Sequence, residues 1–198
     1  MELVFATNNK NKINELQHLL PDSIKLLSLD AIGCNEELPE TQATIEGNAA
    51  QKAFYIYNKY HLNCFADDTG LEVEALNGAP GVFSARYAGE HKSTNDNIDK
   101  LLNELSKFTN RNARFKTTIS LVLGGKENQF EGIVSGTILS ERRGCNGFGY
   151  DPVFAPSIYQ KNINSKFISF AEMDLSEKNK ISHRAIAVKK LVDYLRKL

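Results

Sequence analysis

The sequence predicts an α/β fold built on a mixed sheet, and three observations predict it. Leu3, Val4, Phe5 and Ala6 form an unbroken apolar run, the pattern of a strand covered on both faces. A polar stretch follows, and then Ile13, Leu16 and Leu20 recur at helical spacing, so the chain opens as strand, loop and helix. Farther on, Phe115, Thr117, Ile119, Leu121 and Leu123 alternate with mostly more polar residues. Gly124-Gly125 then turn the chain into a second strand over 129–139, which predicts a long antiparallel hairpin.

The remaining elements follow in order. Residues 24–29 read as a second strand. Ile45, Ala49, Ala53, Ile56 and Tyr60 make a helical stripe with Thr44 as its N-cap. Residues 62–66 read as a buried strand ending at Asp67-Asp68. Residues 71–76 alternate apolar and acidic side chains, as a separate half-exposed strand would. Asn77-Gly78-Ala79-Pro80-Gly81 is a turn. Ser93 or Thr94 caps a helix carrying Ile98, Leu101, Leu102 and Leu105. A Gly-rich loop covers 144–149, and the last helix starts at Ser182 and buries Val188, Leu191, Val192 and Leu195.

The 198 residues suit a single domain, 1–198. Lys+Arg and Asp+Glu both number 24, so the formal charge is zero. That balance argues against a nonspecific nucleic-acid binder, whose affinity rests on a basic excess. It leaves a small phosphorylated ligand open. The three cysteines (Cys34, Cys64, Cys145) form no C-x-x-C pair, which suits a reducing compartment. The N-terminus lacks the basic region of a signal peptide, and no apolar run approaches the roughly 20 residues that span a bilayer. These features predict a cytoplasmic protein.

Five segments hold chemistry-bearing residues. Thr7-Asn8-Asn9-Lys10-Asn11-Lys12 joins the first strand to a helix N-terminus, where backbone N–H groups and the helix dipole suit phosphate. Asp67-Asp68-Thr69-Gly70 places two carboxylates at a strand end before an expected Gly turn. Such carboxylates suit Mg2+ or a general base, although adjacent residues of an extended chain point opposite ways. Glu40 precedes a helix whose Asn48 and Lys52 share one face. Phe148-Gly149-Tyr150-Asp151 places two aromatics and a carboxylate in a Gly-rich loop, suited to a flat ligand. Lys178, His183 and Arg184 are basic, and the last two fall in the first turn of a helix. The dipole disfavours cations there, so a compensating anion or acceptor is required.

Together these pieces make the chain similar to the inosine/xanthosine triphosphate pyrophosphatase family, also called Ham1-like or RdgB-like. The matching segments run in the family's order: Thr7-x-Asn9-x-x-Lys12, Glu40-Thr41, Asn48-Ala49, Asp67-Asp68-Thr69-Gly70-Leu71, Gly78-Ala79-Pro80-Gly81, Ser84-Ala85-Arg86-Tyr87, Ala113-Arg114-Phe115, Gly147-Phe148-Gly149-Tyr150-Asp151-Pro152 and Ser182-His183-Arg184. The resemblance implies an elongated, two-lobed α/β domain with a long curved sheet and an active-site cleft between lobes. It implies a homodimer and Mg2+-dependent hydrolysis of ITP, dITP and XTP to the monophosphate and pyrophosphate. Carried over by position, Thr7 to Lys12 would hold the triphosphate, with Lys52 assisting. Glu40 and Asp68 would hold the metal, Asp68 would also be the general base, and Thr69 would touch substrate. Phe148, Gly149, Tyr150 and Asp151 would flank base and sugar, and Lys178, His183 and Arg184 would read the purine. Two positions depart from the family pattern: Asn8 replaces a Gly and Thr69 replaces a Ser.

Specificity would follow from the 6-oxo group of hypoxanthine and xanthine, an acceptor where adenine has a donor. A site built to donate there leaves buried donors unpaired against the wrong base. Guanine shares the 6-oxo group, so its exclusion must rest on its 2-amino group. Two other readings compete. A Maf-like pyrophosphatase of pyrimidine or modified nucleotides would lack Ser182-His183-Arg184 and the Phe148-Gly149-Tyr150-Asp151 loop. A non-catalytic nucleotide sensor would have no need to crowd Glu40, Asp67 and Asp68 near phosphates.

Overall fold

The computed structural model describes residues 1–159 and 167–198. Its strands are β1 (Glu2–Phe5), β2 (Lys25–Leu27), β3 (Cys64–Val73), β4 (Pro80–Gly81), β5 (Asn112–Leu123), β6 (Lys126–Ile138) and β7 (Phe154–Pro156). Its helices are α1 (Lys10–Gln17), α2 (Ile45–Tyr60), α3 (Thr94–Leu105), α4 (Leu175–Ile181) and α5 (His183–Leu195). Among the described residues the strands form one mixed sheet in the order β2-β1-β3-β5-β6-β7, with β4 on β3. β1 runs parallel to both β2 and β3, whereas β4 on β3 and β7 on β6 are antiparallel. The chain divides into two compact units, residues 1–68, 117–132 and 183–198 in the first and 69–116 and 133–182 in the second.

In the first unit, strand alternation sorts the core into two layers. Leu3, Phe5 and Phe65 point to the side covered by Leu16 of α1 and by Val188, Leu191 and Val192 of α5. Val4, Ala6, Cys64 and Ala66 point to the side covered by Ala53 and Ile56 of α2. Phe5 and Phe65 stack with centroids 4.8 Å apart. Both faces being covered explains why β1 carries no alternation of its own. In the second unit, Phe115, Phe154 and Phe170 pack ring against ring, with centroids 4.7 to 6.2 Å apart. The buried stripe Ile98, Leu101 and Leu105 seats α3. The Arg111 guanidinium satisfies the carbonyls of Leu105, Ile138 and Leu139.

Three expectations change. Asp67-Asp68-Thr69-Gly70 is no turn: β3 runs straight through it from Cys64 to Val73, so the two expected strands are one. Partners on both faces of the strand keep it extended past its glycine. Residues 74–76, expected to finish the second of those strands, form a 3-10 turn instead. The last helix is preceded by α4, which the sequence reading omitted. Asp174 and Glu177 cap α4 reciprocally, and Ser182 closes its C-terminal end before α5 begins at His183.

Candidate active site

The decisive local feature is the parity of β3. Asp67 continues the Phe65 side and Asp68 the Ala66 side, because successive side chains of a strand alternate. The helices that cover those sides then meet one carboxylate each.

Asp67 is fully buried, and each of its carboxylate oxygens accepts from a cation. Lys12 Nζ of α1 donates to Oδ1 at 2.9 Å and to the Asp67 carbonyl at 3.2 Å. Arg184 Nε of α5 donates to Oδ2 at 3.0 Å, and its Nη1 reaches Glu15 Oε2 at 2.5 Å. Burial alone would raise the pKa of Asp67. Lys12, Arg184 and Lys52 outweigh burial and hold it well below the usual carboxylate range. The cation in the first turn of α5 has therefore found the anions its position demanded.

Asp68 retains 8% exposure and faces α2. Asn48 Nδ2 donates to its Oδ2 at 3.3 Å, and Lys52 Nζ stands 3.5 Å from its Oδ1. The same ammonium is 2.6 Å from Glu40 Oε1. Glu40 reaches it because the residues after it are tied to α2. The Thr41 N–H donates to Gln51 Oε1 and the Gln42 N–H to Asn48 Oδ1, both at 2.9 Å. Burial raises the pKa of Asp68, Lys52 and Lys12 pull it down, and Glu40 and Asp67 push it up, with a net rise. The Lys52 ammonium is opposed by burial, but Asp68 and Glu40 hold its pKa above the ordinary value.

Among the described residues, no three His, Cys, Asp or Glu side chains gather as a metal cage. The donor set is instead two carboxylates, Glu40 and Asp68, sharing one ammonium. That set fits Mg2+, which is commonly held by one or two carboxylates with waters and substrate phosphates. A divalent ion would also relieve the crowding of like charges that raises Asp68.

The loop ahead of α1 is partly spent on its own structure. Asn9 Oδ1 caps the helix, accepting from the N–H groups of Asn11 at 3.0 Å and Lys12 at 3.3 Å. Thr7 Oγ1 accepts from the Asn9 N–H at 3.2 Å, and Asn8 Nδ2 donates to the Glu36 carbonyl at 3.2 Å. Three of the N–H groups expected to cradle phosphate, those of Asn9, Asn11 and Lys12, are thus satisfied within the chain. Asn8, Asn9, Lys10 and Asn11 are exposed, and Lys12 is half-buried.

In the second unit, Asp151 is the organising anion. Its Oδ2 accepts from Lys178 Nζ at 2.6 Å and from the Phe148 N–H at 2.8 Å. The Lys178 ammonium lies 5.1 Å from the centroid of the Phe148 ring, a cation–π distance. Gly147 has φ 72°, and a Cβ there would fall 2.1 Å from Asp151 Oδ2, so only glycine admits this carboxylate. Gly149 also has positive φ, at 60°. Tyr150, expected to flank a ligand, is buried, and its hydroxyl donates to the Ser84 carbonyl at 2.9 Å. Thr69 follows Asp68 in β3, and His183 is buried at the start of α5.

A model of the Ham1 family matches residues 3–194. The chain belongs to the Ham1 family. It is 57% identical over 196 residues to the dITP/XTP pyrophosphatase of Flavobacterium psychrophilum, covering 99% of this chain and 100% of that one. It is 51% identical over 195 residues to the protein of the same name from Porphyromonas gingivalis, covering 98% and 97%. Among solved structures, the HAM1 protein of Coxiella burnetii superposes with a TM-score of 0.89 at 37% identity, over 100% of both chains. The Ham1 protein of Staphylococcus aureus gives 0.87 at 39%, over 100% of this chain and 99% of that one.

Seen as a Ham1 chain, the structure brings Lys12, Asp67 and Arg184 together on one side of β3, and Glu40, Lys52 and Asp68 together on the other. It groups Phe148, Asp151 and Lys178 in the second unit. Asn48 and Glu15 join these clusters through Asp68 and Arg184 without a role predicted from the motifs. Asn48 shares a face with Lys52, and that spacing was visible. Glu15 sits three residues after Lys12 on α1, a same-face spacing that could have drawn notice.

Proposed function

We propose that this chain hydrolyses ITP, dITP and XTP to the nucleoside monophosphate and pyrophosphate, with Asp68 as general base. The observation that carries the reading is the opposite treatment of two adjacent carboxylates. Asp67 is saturated by Lys12 and Arg184 and kept ionised. Asp68 is buried but retains 8% exposure, has its pKa raised above the ordinary value, chiefly by burial, and is paired with Glu40 around Lys52. The names of the Flavobacterium and Porphyromonas relatives support the substrate class.

In this reading water attacks the α-phosphorus. A new P–O bond forms to the water oxygen and the bond to the α–β bridging oxygen breaks. Pyrophosphate leaves with that oxygen, and Asp68 takes the proton of the attacking water. Lys12 spends two of its three N–H donors on Asp67 and has one for a phosphate oxygen. Thr7, Asn8, Lys10 and the capped turn around Asn9 and Asn11 line the same approach, and Lys52 offsets charge at the phosphates. When bound at Glu40 and Asp68, Mg2+ supplies charge neutralisation on the phosphate oxygens.

Within the second unit, the Phe148 ring offers a stacking face to a base, and Lys178, seated on Asp151, is the proposed donor to a 6-oxo group. Gly149 lets the loop backbone approach the ligand, and Thr69 and His183 are assigned substrate contacts. Arg184 contributes by holding Asp67, and reading a base would require giving up its bonds to Asp67 and Glu15. We take residues 1–198 as one enzymatic domain, a reading supported by the family match over 3–194. A homodimer in the cytoplasm completes the proposal. No helix among the described residues is long and apolar enough to cross a membrane.

The test is pyrophosphate release from ITP, XTP, dITP, GTP, ATP and dTTP, with Mg2+ or with chelator, for wild type and Asp68→Asn. Release confined to ITP, dITP and XTP, dependent on Mg2+ and lost in Asp68→Asn, is the expected result. Release from none of them, or release indifferent to Asp68, overturns the proposal.

A further inference from the structure

The first unit contains four alternating charges linked by three ion pairs, a ring only in that the α1 backbone joins its two ends. Lys12 and Glu15 stand three residues apart on one face of α1. Lys12 Nζ meets Asp67 Oδ1 at 2.9 Å, Asp67 Oδ2 meets Arg184 Nε at 3.0 Å, and Arg184 Nη1 returns to Glu15 Oε2 at 2.5 Å. Its four residues, carried by α1, β3 and α5, all belong to the first unit. Its formal charges sum to zero, two acids against two bases. Glu15 is 4% exposed and sits beside the wholly apolar layer of Leu16 and Phe65. A carboxylate in such a place is expensive unless paired, and no phosphate or metal duty has been assigned to it. Its geometry has one consequence. Arg184 carries both acids, so the position of Asp67, and through it of the Lys12 ammonium, depends on Glu15.

We propose that Glu15 is a positioning residue for the phosphate-binding Lys12, acting through Arg184 and Asp67. The inference rests on the pyrophosphatase reading for the role of Lys12, and on the ring alone for its geometry. Without the Glu15 charge the ring is left with one negative and two positive members. The pull of Arg184 on Asp67 then changes, and with it the position of the carboxylate that holds the Lys12 ammonium.

The experiment is a double-mutant cycle in the full chain with Glu15→Gln and Lys12→Met, read as KM and kcat for XTP with Mg2+. Glu15→Gln is expected to raise KM about tenfold, the weight of one charged hydrogen bond, with a smaller change in kcat. Combined with Lys12→Met it is expected to add almost nothing, because both changes remove the same contact. An unchanged KM in Glu15→Gln, or full additivity in the double variant, overturns the proposal, since a merely structural role lowers both backgrounds alike. If a thermal melt shows Glu15→Gln unfolded at the assay temperature, Glu15→Asp takes its place in the cycle. That variant keeps the charge but shortens its reach, and the same two outcomes decide. Should wild type release pyrophosphate from no nucleotide, the functional reading fails by itself. The ring is then judged by calorimetric binding of Mg2+-pyrophosphate. Affinity lost in Glu15→Gln and lost no further in the double variant supports it, and affinity unchanged in Glu15→Gln overturns it.

Discussion

The Asn48 amide donates to Asp68 Oδ2 at 3.3 Å while its own carbonyl oxygen accepts from the Gln42 N–H at 2.9 Å. One buried side chain thus holds the proposed general base, Asp68, and the acidic loop that brings Glu40. With its oxygen engaged by a backbone donor, the amide can present only its NH2 to Asp68, which fixes the orientation.

Asn48→Ala is expected to lower kcat/KM by roughly ten- to hundredfold, the range for loss of a hydrogen bond to a charged group. Asn48→Asp keeps the shape but puts a further carboxylate beside Asp68 and Glu40, and is expected to be worse than Ala. Steady-state pyrophosphate release decides between them. A milder effect of Asp than of Ala contradicts the assignment.

Asp67 and Asp68 should pull stability in opposite directions. The pKa of Asp67 is depressed by Lys12, Arg184 and Lys52 against burial, so its stabilising effect is present above the unfolded value of about 3.9 and is lost as pH falls through the folded value. The pKa of Asp68 is raised, so its contribution is present below the unfolded value and is lost as pH rises through the folded one. At pH 7 Asp67→Asn is therefore expected to cost roughly 3–5 kcal/mol, since it breaks a buried ion-pair cluster. Asp68→Asn is expected to melt at the wild-type temperature or above it, despite lost activity. Urea melts at pH 7 test both, and a large destabilisation by Asp68→Asn contradicts the proposed division of labour.

Lys178→Met keeps the side-chain stem beside Phe148 and Phe170 but removes the ammonium that Asp151 accepts from at 2.6 Å. Stability is expected to fall by about 3 kcal/mol, as when one partner of a buried pair is deleted. The preference for XTP over ATP is expected to narrow by at least about tenfold, since the donor to the 6-oxo group is gone. Competition assays with the two nucleotides measure this directly, and an unaltered preference assigns base reading elsewhere.

Gly147 and Gly149 offer an internal control on the loop. Both have positive φ, 72° and 60°, so Ala at either position carries backbone strain of about 1–2 kcal/mol. Only at Gly147 would the added Cβ meet Asp151 Oδ2, at 2.1 Å, while Gly149 has nothing within 4 Å. Gly147→Ala is expected both to raise KM and to lower the melting temperature clearly more than Gly149→Ala. Equal effects would mean that strain, rather than the seat of Asp151, governs the loop.

Much of this was legible in the residues. The apolar run of β1, the capped stripe of α2, the β5–β6 hairpin and the first-turn cations of α5 follow from local periodicity and capping, which act within a few residues. The ordered motifs also pointed to Glu40 and Asp68 as a metal-binding pair and to Lys52 at the phosphates. Local signals misread Asp67-Asp68-Thr69-Gly70, because Asp and Gly favour turns in isolation. Cations on both faces of β3 reward an extended chain there, and those cations come from residues 12, 52 and 184.

The sequence by itself determined most of the elements, the family and the set of charged residues, since these depend on composition, spacing and order along the chain. Which carboxylate does which job was decided only by tertiary structure. Strand parity sends Asp67 toward α1 and α5 and Asp68 toward α2, and it acquires chemical meaning only when helices far apart in sequence cover the two faces. The same packing links Lys12, Asp67, Arg184 and Glu15 through three ion pairs. Burial strengthens those charge interactions and makes an unpaired charge costly.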